Sequence, residues 1–272
     1  MVTLGKLQVY YNSQLRLQDH GHLRGSFIRN YGMKTLAIAT VCLILACGKN
    51  ASSSMTSLNT TTQTTLDTMV KKLTYLALGD SYTIGEAVEQ QLSFPYQLAD
   101  KLRSSGLNIT TPKIIAKTGW TTDELQAAIV EAKITDTYDF VTLLIGVNNQ
   151  YRGYSEQVYR NEFKELLLTA IGFAGGDKTH VFVVSIPDWG ATPFGKDSGK
   201  DQDGIDREID QFNAINKQET LAAGVSYTDI TPGSKLASSN VALVASDGLH
   251  PSGKMYADWA SALLPSIERT FK

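Results

Sequence analysis

The sequence predicts an α/β protein built on a mainly parallel five-stranded sheet with helices on both faces. Three observations carry that expectation. From Leu73 to the C-terminus, short apolar runs alternate with amphipathic stretches at helical spacing. One run, "YDFVTLLIGVNN" (138–149), is apolar through its centre, as a strand buried on both faces should be. The alternation is strictly one strand, one helix, and a βαβ series of that kind closes into a parallel sheet.

"LTYLALG" (73–79) reads as the first strand, and "FPYQLADKLRSSG" (94–106) as a helix with a glycine stop. "PKIIAKTG" (112–119) is the second strand, and "TTDELQAAIVEAKI" (121–134) a helix opened by a threonine cap and early acids. Residues 138–149 are the third strand, followed by the helix "SEQVYRNEFKELLLTAIGFAGG" (155–176). "THVFVVSIPDWG" (179–190) is the fourth strand, "GIDREIDQFNAINKQETLAAG" (204–224) a helix, and "VSYTDIT" (225–231) the fifth strand. "SGKMYADWASALLPSIERTFK" (252–272) closes the chain as a helix. Neither an internal repeat nor a second hydrophobic run separates from this series, so residues 73–272 read as one domain.

The chain has 272 residues, 42% of them hydrophobic and 19% charged, which suits a globular α/β domain. A net charge of −2 shows no basic excess and gives no reason to expect a nucleic-acid partner. The first 46 residues hold five of the 25 basic residues and one of the 27 acidic ones, so their removal leaves 20 against 26.

That front reads as a targeting segment. "MKTLAIATVCLILACGKN", from Met33, is a lysine, an apolar core, a small residue and Cys47. The core is shorter than the roughly 20 residues of a spanning helix and matches a signal-peptide core. Ile44-Leu45-Ala46-Cys47 resembles a bacterial lipoprotein cleavage box, whose cysteine becomes the lipidated N-terminus; Leu45 stands where a small or β-branched residue is commoner. The alternative is an uncleaved apolar anchor. Residues 1–32 are then an upstream extension, and 47–72, rich in Ser and Thr, a tether too polar to offset its own ordering entropy. The resulting expectation is a protein of the cell envelope, extracytoplasmic and held to a membrane by a lipid. Cys42 and Cys47 are the two cysteines of the chain, so the body has no disulfide and no thiolate metal site.

In open parallel sheets ligands bind beyond the carboxyl ends of the strands. Ser81 lies just past the first strand, Gly119 past the second, Asn148 at the end of the third and Trp189 past the fourth. A serine nucleophile needs a base, and the body has two histidines, His180 and His250. His180 opens strand four, at the wrong end of the sheet. His250 stands in "SDGLHPSG", three residues after Asp247, a spacing that lets a tight turn bring the carboxylate beside the ring. The same segment also reads as a plain Gly/Pro turn before the last helix. Asn148 and the backbone N–H groups of Gly119 and Ser81 are suitable donors for a developing oxyanion, but "TG" and "GVNN" taken alone are equally a turn glycine and a polar strand end.

"GDSY" (79–82), "KTGW" (117–120), "IGVNNQYRG" (145–153) and "SDGLHPSG" (246–253) resemble, in this order, the sequence blocks of the SGNH (GDSL) hydrolases, over about residues 73–265. The resemblance implies a flavodoxin-like three-layer α/β/α sandwich and serine acyl-hydrolase chemistry without a cofactor or a metal. It makes Ser81 the nucleophile, His250 the base, Asp247 its orienting acid, and Ser81, Gly119 and Asn148 the oxyanion donors. Two positions depart from the pattern: Asn149, where many members have Asp, and Tyr82, where the family's name has Leu. Asp80 is expected to brace the nucleophile turn.

The expected substrate is a small carboxylic ester, with short acyl groups or carbohydrate O-acetyl groups ahead of lysophospholipids and thioesters. Trp120, Tyr151 and Trp189 could stack on a sugar or simply pack. A non-catalytic binding module on the same scaffold is the competing class.

Overall fold

The computed structural model describes residues 71–272. The expected signal peptide and tether up to residue 70, with Cys42 and the lipidation candidate Cys47, lie outside the described residues. Five strands, β1 (Tyr75–Asp80), β2 (Lys113–Lys117), β3 (Phe140–Leu144), β4 (Val181–Val184) and β5 (Ser226–Thr228), form one sheet in the order β2-β1-β3-β4-β5, every pairing parallel. This is the expected α/β sandwich. β1, β3 and β4 are buried along their whole length, whereas the edge strands β2 and β5 are part-exposed. That difference explains why the central strands are unbroken apolar runs and the edges are not.

The helices are α1 (Ser81–Ile84), α2 (Phe94–Ser104), α3 (Thr122–Ala132), α4 (Val147–Tyr151), α5 (Glu156–Phe173), α6 (Pro193–Asp197), α7 (Gln202–Ala222), α8 (Thr231–Lys235) and α9 (Gly253–Phe271). The step from β1 to β2 runs in one direction across the sheet, and the steps to β3, β4 and β5 run in the other. Right-handed crossovers therefore put α2 on one face and α3, α5 and α7 on the opposite face. The packing follows: α2 lies against α9, while α3 packs on α5 and α5 on α7. Phe94, Leu98, Leu102, Trp259 and Leu263 fill the first layer, and Phe163, Leu166, Ile209 and Phe212 the second. Each fully buried side chain of this size contributes about 1.5–3 kcal/mol.

One element differs from the sequence reading. Residues 147–149, expected to continue the third strand, form the first turn of α4. The break is at Gly146, whose φ of +128° disfavours any residue with a Cβ, and a Cβ there would lie 2.6 Å from the Tyr159 ring. Asn148 therefore stands on a helical turn just beyond β3.

Candidate active site

The order β2-β1-β3 puts β1 where the crossovers change direction, the place at which parallel sheets form their crevice. β1 ends at Asp80, and the Asp80 Oδ1 accepts the Tyr82 N–H at 3.0 Å, capping the one-turn helix that Ser81 begins. The turn is tight. A Cβ at Gly79 would lie 2.1 Å from Thr83 Oγ1 and 2.4 Å from the Leu144 carbonyl oxygen. Gly85, at φ +79°, ends the turn by donating to the Ser81 carbonyl at 3.1 Å. Ser81 is 5% exposed, so its side chain is close-packed yet not sealed. Burial pushes the Asp80 carboxyl up to about 7, against backbone hydrogen bonds that favour its charged form, and its Oδ2 has no partner among the described residues.

His250 is held by a loop that closes on itself. Ala245 donates to the His250 carbonyl at 2.7 Å, and Gly248, at φ +77°, donates to Ala245 at 3.1 Å. The turn wraps Asp247, whose Oδ1 accepts the N–H groups of Leu249 (2.9 Å) and His250 (3.0 Å) while Oδ2 meets His250 Nδ1 at 2.6 Å. Burial raises the Asp247 carboxyl's affinity for a proton, but the His250 hydrogen bond and charge and the two backbone N–H groups outweigh it, leaving the carboxyl below its ordinary value. The His250 ring lies 5.4 Å, centroid to centroid, from the ring of Tyr82, the residue after Ser81. Ser81, Asp247 and His250 thus gather at one edge of the sheet.

Gly119 and Asn148 join them from either side of β1. Gly119 follows β2 with φ +85°. Asn148, on α4, is 2% exposed and donates through Nδ2 to the Trp120 carbonyl at 2.9 Å, so the two blocks are bonded together. Asn149 binds the start of α3: its Oδ1 accepts the Thr122 N–H (3.1 Å), and its Nδ2 donates to Thr122 Oγ1 (2.6 Å), which donates to Glu162. The departure from Asp at this position leaves a carboxamide bonded through both its oxygen and its nitrogen.

Residues 77–257 match the GDSL-like Lipase/Acylhydrolase family. The chain belongs to that family. It is an ester-hydrolysing serine hydrolase. Similar solved structures share its fold at low identity. An acetyl xylan esterase from Geobacillus stearothermophilus has 21% identity, covering 72% of this chain and 94% of that one with a TM-score of 0.55. The lipase/acylhydrolase from Enterococcus faecalis has 18% identity, covering 74% and 96%, TM-score 0.55. A psychrotrophic esterase from a Pseudoalteromonas species has 16% identity, covering 73% and 98%, TM-score 0.52. Comparison with curated proteins gives no match.

The aromatic candidates of this GDSL-like hydrolase divide. Trp189 is 2% exposed, donates through Nε1 to Gln150 Oε1 at 2.8 Å, and packs on Tyr151 and Phe194, so it belongs to the core. Trp120 and Tyr151 are part-exposed, and Lys200 Nζ lies 4.2 Å from the Tyr151 ring centroid. His180 precedes β4, at the end of the sheet away from Ser81, with its ring on Phe271. Sequence reasoning missed Arg152, whose Nη2 donates to the Gly119 carbonyl at 2.5 Å and whose Nη1 pairs with Glu124 at 3.0 Å. Its signal was available: Arg152 follows Asn148 by four residues, a spacing that shares a helical face.

Proposed function

We propose that Ser81, His250 and Asp247 hydrolyse a small carboxylic ester through an acyl-enzyme, the reading carried by the 2.6 Å contact of Asp247 Oδ2 with His250 Nδ1 beside the Ser81 turn. Asp247 accepts a hydrogen bond from the Nδ1–H group and leaves Nε2 as the acceptor. Ser81 Oγ gives its proton to Nε2 as it bonds to the acyl carbon, and the carbonyl oxygen takes the negative charge. The N–H groups of Gly119 and Ser81 and the side-chain amide of Asn148 stabilise that charge. The C–O bond to the alcohol then breaks, the imidazolium returns its proton to the alcohol, and water attacks the acyl-enzyme by the same route. A fluorophosphonate probe should label the protein and fail to label Ser81→Ala; labelling that survives this substitution overturns the assignment.

The favoured substrates are short acyl esters, including carbohydrate O-acetyl esters. The acetyl xylan esterase with the same fold supports this. Rates on p-nitrophenyl esters should fall steeply beyond four carbons, with acetylated xylo-oligosaccharides turned over; a preference for long chains or for lysophospholipid excludes this reading. We place the enzyme outside the cytoplasm, lipid-anchored through Cys47 to a bacterial membrane, since two acyl signals give stable anchoring. Intact mass should reveal a lipidated N-terminal Cys47, and a product beginning elsewhere excludes it.

A further inference from the structure

Lys117–Trp120 is a β-turn in which the Trp120 N–H donates to the Lys117 carbonyl at 3.3 Å. Gly119, the third residue, has φ +85°, and Thr118, the second, is not among the positive-φ residues. A positive φ at the third position alone is the type II geometry. The type I alternative is open to a glycine at no steric cost, and it turns the central Thr118–Gly119 amide over by about half a revolution. The Gly119 N–H belongs to that amide, so the turn type decides which way it points.

Three side chains from two other parts of the fold hold this turn. Glu86, in the loop after α1, accepts from Thr118 Oγ1. Asn148 holds the Trp120 carbonyl at 2.9 Å. Arg152 holds the Gly119 carbonyl at 2.5 Å and would be the nearest neighbour, at 3.6 Å, of a Cβ placed on Gly119. Its guanidinium is itself fixed. Nη1 pairs with Glu124 Oε1 at 3.0 Å, and Glu124 Oε2 accepts the Thr121 N–H at 3.0 Å, so the clamp is tied to the start of α3. With 19% of its side chain exposed, Arg152 acts as a structural fork, the geometry in which arginine and lysine are least interchangeable.

We propose that Arg152 is a positioning residue of the hydrolase: by tying the Gly119 carbonyl to Glu124 at the start of α3 it fixes the place of the turn that carries the Gly119 N–H, and so keeps that N–H directed at the oxyanion. The inference rests on the reading of that N–H as an oxyanion donor. Without the clamp the turn is free to shift against α3, and a donor correctly placed for only part of the time is lost in proportion. Arg152 does its work through Gly119, so its removal should act on the transition state and not on ester binding.

Arg152→Met should lower kcat on p-nitrophenyl acetate about 10- to 100-fold, somewhat less than the loss of a whole donor, with KM within about twofold. A second readout follows Gly119 itself. Thr118-Gly119 is the one Thr-Gly pair in the chain, so carbonyl-13C threonine with 15N glycine isolates its amide signal. In the wild type this signal should shift when Ser81 is phosphonylated. In Arg152→Met it should already be displaced in the free enzyme and should respond less. A kcat within twofold of wild type with an unmoved signal overturns the proposal, as does a loss confined to KM, which would make Arg152 a substrate contact. If the Met variant does not fold, Arg152→Lys serves, because an ammonium cannot bridge Gly119 and Glu124 as a fork; a normal kcat there overturns the proposal equally. Ser81→Ala that retains activity, or a wild-type Gly119 signal indifferent to phosphonylation, removes the donor reading and the proposal together. An inactive Ser81→Ala with a normal Arg152→Met removes the proposal alone.

Discussion

Asp247 meets His250 twice: its Oδ2 lies 2.6 Å from the ring Nδ1, and its Oδ1 accepts the His250 backbone N–H at 3.0 Å. One carboxylate therefore shapes the loop and orients the ring. Asp247→Asn keeps an oxygen for the backbone N–H groups but can present an amide hydrogen to Nδ1, forcing the tautomer that cannot accept from Ser81. The expected outcome is a kcat lowered about 10²- to 10⁴-fold in a protein that still folds. The pH dependence has a definite sign. The Asp247 carboxyl lies below its ordinary value, so its stabilisation is present above about pH 4 and is lost as the pH falls through the folded-state value. The stability gap between wild type and Asn variant should shrink in acid; a constant gap in urea titrations at pH 3 and pH 7 would refute the coupling.

Asn148→Ala should lower kcat about 10²- to 10³-fold, the size of one lost oxyanion donor. The bond from Asn148 to the Trp120 carbonyl adds a second effect, a stability loss of about 1 kcal/mol. Kinetics and melting measured together separate the roles. A stability loss with normal turnover would leave Asn148 as a tie between loops and nothing more.

The strands that seat the site were legible because their burial is total. β1 and β3 have no exposed residue, so their sequences carry no charged residue before Gly79 and Gly146. The polar groups after those runs were legible as chemistry for the same reason: Asp80, Ser81 and Asn148 begin where the apolar run stops. Less readable was what joins the blocks. That Arg152 reaches Gly119, and Glu86 reaches Thr118, depends on β1 lying between β2 and β3, an order that local patterns do not encode. The end of the third strand was misread because "VNN" after an apolar run looks extended until the conformation of Gly146 is known. Trp189 was ambiguous because its partner, Gln150, comes from a different element.

Asp80→Asn should remove a pH dependence of folding. Burial raises the Asp80 carboxyl to about 7 from an unfolded value near 3.9, so the folded state favours the proton. Its contribution is fully present below about pH 4 and is lost as the pH rises through about 7. Asn keeps the acceptor for the Tyr82 N–H and has no charge to bury. The variant should gain stability relative to wild type between pH 5 and pH 8, by an amount on the order of 1–4 kcal/mol. Parallel urea curves with an unchanging offset over that range would show that Asp80 folds ionised.

Trp189→Phe tests core against cleft. The substitution leaves Gln150 Oε1 without its 2.8 Å donor in a buried setting, which costs about 1–3 kcal/mol. Because Trp189 is 2% exposed, KM for an acetylated oligosaccharide should stay within about twofold of the wild-type value. A raised KM with unchanged stability would return Trp189 to the substrate surface.

Asn149→Asp installs the residue commoner in the resembled family and should destabilise this member. Asn149 Nδ2 donates to Thr122 Oγ1, and that hydroxyl spends its single hydrogen on Glu162. Asp at 149 has no hydrogen to give when ionised, so two acceptors face each other across 2.6 Å and one buried group loses its partner. The expected cost is about 1–3 kcal/mol. Its pH dependence identifies the cause. Burial raises the Glu162 carboxyl, with Asp123 and Glu165 adding to the shift against the Thr122 bond. A second carboxylate in this network raises both groups further, so the folded variant gains by binding a proton. The deficit against wild type should therefore be smaller near pH 5 and larger near pH 7.5. The carboxamide is bonded to Thr122 of α3, so kcat should remain within about threefold of wild type. Denaturation at both pH values, with kcat alongside, distinguishes this from a catalytic role: lost turnover at unchanged stability would place Asn149 in the reaction.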